Sequence, residues 1–79
     1  MAMTIQLNGA SHVLENSTTV GELLRSLQLH GDKVAVEVNL EILDKNDFEQ
    51  HGLQEGDRVE IMSFVGGGSV KDTMSVRHD

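Results

Sequence analysis

The sequence predicts a small α+β domain, a mixed sheet of four to five strands with one main helix packed on one face. Three observations carry the prediction. Alternating apolar residues mark strands near both ends, Thr4 to Gly9 and Arg58 to Val65. Between them, Val20, Leu23, Leu24 and Leu27 recur at helical spacing and make one apolar stripe. A chain of 79 residues supports one domain with a small core, burying only roughly 60% of its unfolded surface.

The elements follow in order. Thr4-Ile-Gln-Leu-Asn-Gly9 runs with period two into Asn8-Gly9, a strong tight-hairpin signal. The returning strand is Ser11 to Glu15, with Leu14 inward. Thr19-Val-Gly-Glu22 has capping-box spacing, with Thr19 as N-cap and Glu22 reaching back to its amide. The helix that follows is expected to stop at Gly31, shortly after Leu29. Lys33 to Asn39 reads as a buried strand through Val34, Val36 and Val38, and Glu41 to Leu43 as another short extended piece. Asp44 is placed to cap a single helical turn through Asp47 and Phe48, ending near Gly52. Leu53 to Asp57 then turns the chain into the last strand. Strand, strand, helix, strand, short strand, helical turn, strand is the order of the β-grasp (ubiquitin-like) fold.

Composition excludes several functions. No cysteine is present, which removes disulfides, thiolate nucleophiles and cysteine metal sites together. The net charge of −7 argues against nucleic-acid binding, which needs clustered Lys and Arg. No apolar run approaches the roughly 20 residues that span a bilayer, and no basic leader opens the chain, so the expectation is a cytoplasmic protein without a membrane partner. His12, His30, His51 and His78 are scattered and suggest no metal site. The acidic stretch Asp44, Asp47, Glu49, Glu55 and Asp57 lacks the glycine placement of a calcium loop, and caps and solvated charges account for it. No cofactor is expected.

The most informative junction is Gly66-Gly67-Gly68, directly after the last strand. Glycine lacks a Cβ, so this segment is thin enough to thread a narrow channel. A compact domain ending so suggests a protein whose own backbone is the substrate. Residues 3–65 form the expected β-grasp domain. Residues 66–79 form a flexible glycine tail with an extension, polar and charge-balanced, expected to be disordered.

Gln6-Leu-Asn-Gly9, Thr19-Val-Gly-Glu-Leu-Leu24, Val34-Ala-Val-Glu-Val-Asn39, Gly56-Asp-Arg-Val-Glu60 and Phe64-Val-Gly-Gly-Gly68 together resemble the ThiS family of bacterial sulfur carriers. The resemblance covers about Met3 to Gly68. Related molybdopterin-synthase carriers usually have prolines before their glycines; this chain has none, which favours the thiamin branch. The resemblance implies that an adenylating (activating) enzyme acts on the carboxylate of Gly68 with ATP, and that sulfur then replaces AMP to give a thiocarboxylate. Gly66 and Gly67 would occupy the enzyme's channel. The carrier would be a protein substrate and sulfur donor, not an enzyme, and a sulfur-accepting synthase would make the thiazole of thiamin.

Ser69 to Asp79 departs from the family pattern, because a peptide-bonded carbonyl cannot be adenylated as a free carboxylate. Some ubiquitin-like carriers are made with a short extension that a metallopeptidase removes, which makes a processing metallopeptidase a possible partner. This processing is associated with cysteine, homocysteine or methionine synthesis, a second destination for the sulfur. A third reading is a non-catalytic β-grasp interaction module with the tail as a linker.

On the last strand, Val59, Ile61 and Val65 facing the helix would put Arg58, Glu60, Met62 and Phe64 on the open face. Glu60, Met62 and Phe64 are therefore the candidate partner-docking residues. A bulge or twist would instead turn Phe64 into the core.

Overall fold

The computed structural model describes residues 2–64 and 73–75, the latter three and Phe64 by backbone alone. Strands β1 (Met3–Leu7) and β2 (Ala10–Leu14) precede helix α1 (Val20–Ser26). Strands β3 (Val34–Val38), β4 (Glu41–Leu43), β5 (Arg58–Phe64) and β6 (Thr73–Ser75) follow. The sheet order is β2-β1-β5-β3-β4, with β6 also paired to β5. Among the described residues only β1 and β5 run parallel; the other pairs are antiparallel. This is the mixed sheet and single main helix expected from the sequence.

The first hairpin forms as its turn residues dictate. Leu7 pairs with Ala10, leaving a two-residue loop in which Asn8 and Gly9 have φ of 50° and 87°. Positive φ at both positions gives the turn whose twist matches the strands it joins. Val38 pairs with Glu41, so Asn39 and Leu40 close a second such hairpin, with φ of 53° and 73°. Asn-Leu carries no hairpin signature, because leucine in the left-handed region costs roughly 1–2 kcal/mol. The sequence therefore showed two extended pieces there and not the turn between them.

Helix α1 begins at the expected capping box. Glu22 N–H donates to Thr19 Oγ1 at 3.1 Å, and Thr19 N–H donates to Glu22 Oε1 at 2.9 Å. Its next free amides are satisfied from the following loop, Val20 N–H by the His51 carbonyl at 3.0 Å and Gly21 N–H by that of Phe48 at 2.9 Å. The expected stop at Gly31 is corrected: the helix ends at Ser26 and the chain reverses at Gln28, with φ of 62°. Gln28 N–H bonds the Arg25 carbonyl at 3.0 Å and Leu29 N–H that of Leu24 at 2.9 Å. That is the Schellman pattern, with glutamine where glycine is usual. Gly31 instead opens the 3₁₀ turn Gly31–Lys33. Asp44 caps the second 3₁₀ turn, Lys45–Asp47, as expected, accepting from Asn46 N–H at 2.8 Å.

The core lies between α1 and one face of the sheet. Ile5, Val20, Leu23, Val36 and Val59 are wholly inaccessible, and Leu24, Ile61, Phe48 and Leu53 nearly so. Burial at alternate positions of β3, Val34, Val36 and Val38, shows the strand lying against the helix on one side only. Among the described residues no polar side chain is buried.

Candidate functional site

The site is built around β5, the strand that leads to the glycines. Val59 and Ile61 point into the core, while Glu60 and Met62 are half-buried on the opposite face. The alternation is as read from the sequence up to Ser63. Of the candidate residues, Glu60 and Met62 thus share the open face, whereas the side chain of Phe64 and all of Gly66, Gly67 and Gly68 lie outside the described residues. The expected flexible tail over 66–79 also lies outside them, apart from Thr73–Ser75, which form β6, a strand the sequence had not suggested.

Register adds neighbours that spacing along one strand could not reveal. Ala35 lies opposite Met62, Glu37 opposite Glu60, and Ile42 opposite Glu37. Ile42 is 66% exposed. Glu37 and Glu60 therefore occupy directly opposite positions across the β3–β5 ladder, with apolar residues on either side.

Position along the sheet matters as much as face. The last β1–β5 pair is Leu7 with Val59, so five residues of β5, Glu60 to Phe64, run on after β1 has turned back. At about 3.3 Å per residue the overhang is on the order of 16 Å. Its base is secured by Asn8, whose Oδ1 accepts from Ile61 N–H at 2.8 Å. The other end of β5 is held by a polar cluster. Asn39 Nδ2 donates to Asp57 Oδ1 and Arg58 N–H donates to Asn39 Oδ1, each at 3.0 Å. Asp57 Oδ2 also accepts from Gln54 N–H at 2.9 Å, closing the turn in which Gly56 has φ of 84°.

The loop before β5 is tied to the helix by Arg25 and Glu49, which form a two-pronged ion pair at 2.7 and 3.0 Å. The Arg25 hydrogen bond lowers the Glu49 pKa from the usual carboxylate value, and Glu49 in turn raises that of Arg25. A Cβ at Gly21 would crowd the Glu49 carboxylate, an exposed side-chain end that would have to swing away from its place beside Arg25. Lys45 and Asp32 form a second surface pair. Among the described residues no three His, Cys, Asp or Glu are grouped to hold a metal ion, and no helix is long and apolar enough to cross a membrane.

Fold and site together define a β-grasp domain of the ubiquitin-like class, with β5 followed in the sequence by three glycines. The ThiS family model matches residues 2–68, ending at the last of the three glycines. The sulfur carrier protein ThiS of Bacillus subtilis is 42% identical over 65 residues, covering 81% of this chain and 98% of that protein. The chain belongs to the ThiS family. A crystal structure of the thiamine biosynthesis protein ThiS from Geobacter metallireducens superposes with a TM-score of 0.72 at 35% identity, over 84% of this chain and 100% of that one. The thiazole synthase of Paramagnetospirillum magneticum is 43% identical over 67 residues, 85% of this chain. This chain spans about a fifth of the length of that relative and of the Magnetococcus marinus thiazole synthase, 21% and 20% respectively.

Proposed function

We propose that this chain is a sulfur carrier, a protein substrate and not a catalyst, whose reacting group is the carboxylate of Gly68 after residues 69–79 are removed. The observation that carries the reading is the family match ending at Gly68, on a chain in which eleven more residues follow. Hydrolysis of the Gly68–Ser69 bond consumes one water and leaves a carboxylate on Gly68 and an amino group on Ser69. The carboxylate then attacks the α-phosphorus of ATP on an activating enzyme, giving the acyl adenylate and releasing pyrophosphate. A sulfur nucleophile at the sulfide oxidation level attacks the acyl carbon and expels AMP, leaving a thiocarboxylate. Gly66 and Gly67 serve this chemistry by being thin, since any Cβ would narrow the fit in the enzyme's channel.

The domain's own residues dock the carrier. Glu60 and Met62, with Phe64 after them, belong to the docking face, widened by Glu37, Ala35 and Ile42 through the register of β3 and β4. An activating enzyme with an apolar groove rimmed by Lys or Arg fits this face. Charge complementarity would speed encounter and set orientation, and the apolar contacts would supply affinity.

The thiazole of thiamin is the destination favoured by the relatives named above. The extension after Gly68 favours a second destination, a sulfur amino acid, reached through a processing metallopeptidase. Intact mass of the protein from its native host tests the common step. A species ending at Gly68, with a further mass shift for oxygen replaced by sulfur, is expected. Only full-length chain under conditions that demand sulfur transfer would sink the carrier reading. Loss of thiazole formation, as against sulfur amino acid synthesis, in a deletion strain separates the destinations.

A further inference from the structure

The part of β5 that runs past β1 has a second occupant. On the side facing β1, Ile61 N–H is satisfied by Asn8 Oδ1. Backbone groups alternate along a strand, so the N–H and C=O of Ser63, two residues on, point to the same side, where β1 has already turned away. Exposed groups of this kind on a sheet edge are a template for any extended chain. Thr73–Ser75 lie antiparallel on that edge, with Met62 opposite Ser75, Ser63 opposite Met74 and Phe64 opposite Thr73. Since Ser63 aims both its groups at Met74, theirs is the pair that exchanges both hydrogen bonds.

We infer that the extension is an internal strap: Thr73–Ser75 occupy the β5 edge and hold the extension on the domain until the chain is cut. The function of the strap rests on reading Gly68 as the reacting carboxylate. Phe64 pairs with Thr73, and Gly66, Gly67 and Gly68 lie between these two paired residues in the sequence. A channel built for one extended chain end does not admit a segment so tethered. Cutting after Gly68 leaves the fragment Ser69 to Asp79 held by three paired residues, too few to keep two separate chains together. The fragment then leaves, the edge opens, and activation follows processing in a set order.

Residue-by-residue amide hydrogen exchange by NMR tests the strap in three purified proteins: the full chain, the chain ending at Gly68, and the full chain carrying Met74→Pro. Proline at position 74 lacks the N–H that the Ser63 carbonyl accepts. Ser63 is expected to exchange about five-fold or more slowly in the full chain than in either variant, with Ile61 unchanged in all three. Equal exchange of Ser63 in the full and shortened chains, or no response to Met74→Pro, would overturn the strap. An equal change at Ile61 would also overturn it, because the extension would then stiffen the whole domain instead of covering one edge. The readout involves no sulfur chemistry, so it fails or succeeds independently of the intact-mass test.

Discussion

Replacing Asn8 probes how the overhang of β5 is held. Two contributions meet at this residue: it occupies a left-handed position, φ of 50°, and its Oδ1 takes the amide of Ile61, itself only 1% exposed, at 2.8 Å. Asn8→Gly keeps the backbone conformation and removes the hydrogen bond, so it should cost about 1 kcal/mol, the usual net value of such a bond. Asn8→Ala removes the bond and also puts a residue ill-suited to left-handed backbone in the turn, adding about another 1 kcal/mol. Their sum, about 2 kcal/mol, corresponds to a fall in Tm of about 10 °C for a domain of this size. Urea unfolding followed by far-ultraviolet circular dichroism measures both variants, with Ile61 amide exchange as a local check. Equal stability of Asn8→Gly and the parent, with Ile61 still protected, would refute the assigned role of the Asn8 side chain. A Gly variant as damaged as the Ala variant would remove the backbone half of the argument.

Other outcomes follow from the same structure. Leu40→Gly should stabilise the domain by about 0.5–1 kcal/mol by relieving a left-handed leucine that is 73% exposed; a lower melting temperature would mean that the side chain is used. Leu23→Ala, at a wholly buried position, should cost about 2–5 kcal/mol, seen as a large fall in the denaturant midpoint. Glu49, whose pKa is lowered by Arg25, contributes stability above the ordinary carboxylate pKa that is lost as pH falls through its own lower value. The stability difference between the parent and Glu49→Gln should therefore shrink with acid, and NMR titration of Glu49 should move back toward the ordinary value in Arg25→Gln and in Gly21→Ala. Phe64→Ala should weaken binding to the activating enzyme by about 1–3 kcal/mol with little unfolding of the free domain. Early melting with unchanged binding per folded molecule would place Phe64 in the core instead.

What the sequence determined by itself is whatever depends on neighbours close along the chain. Asn8-Gly9, the Thr19 and Glu22 capping box, the Asp44 cap and the inward set Val59 and Ile61 were all legible, because turn chemistry and period-two alternation are local. The three glycines and the motifs before them pointed to the family in the same way. Tertiary structure decided the rest. Helix α1 ends at Ser26 and not near Gly31 because closing bonds from Gln28 to Arg25 and from Leu29 to Leu24, with Leu29 packed against the core, favour a left-handed glutamine that propensity would reject. The Asn39-Leu40 turn forms because β3 and β4 pair across it, and Asn39 also binds the start of β5 from 19 positions away. Neither Glu37 opposite Glu60 nor Thr73–Ser75 on the β5 edge could be read from spacing along one strand. Cross-strand register arises only when separate segments share a sheet, and the free energy that selects it belongs to the assembled core.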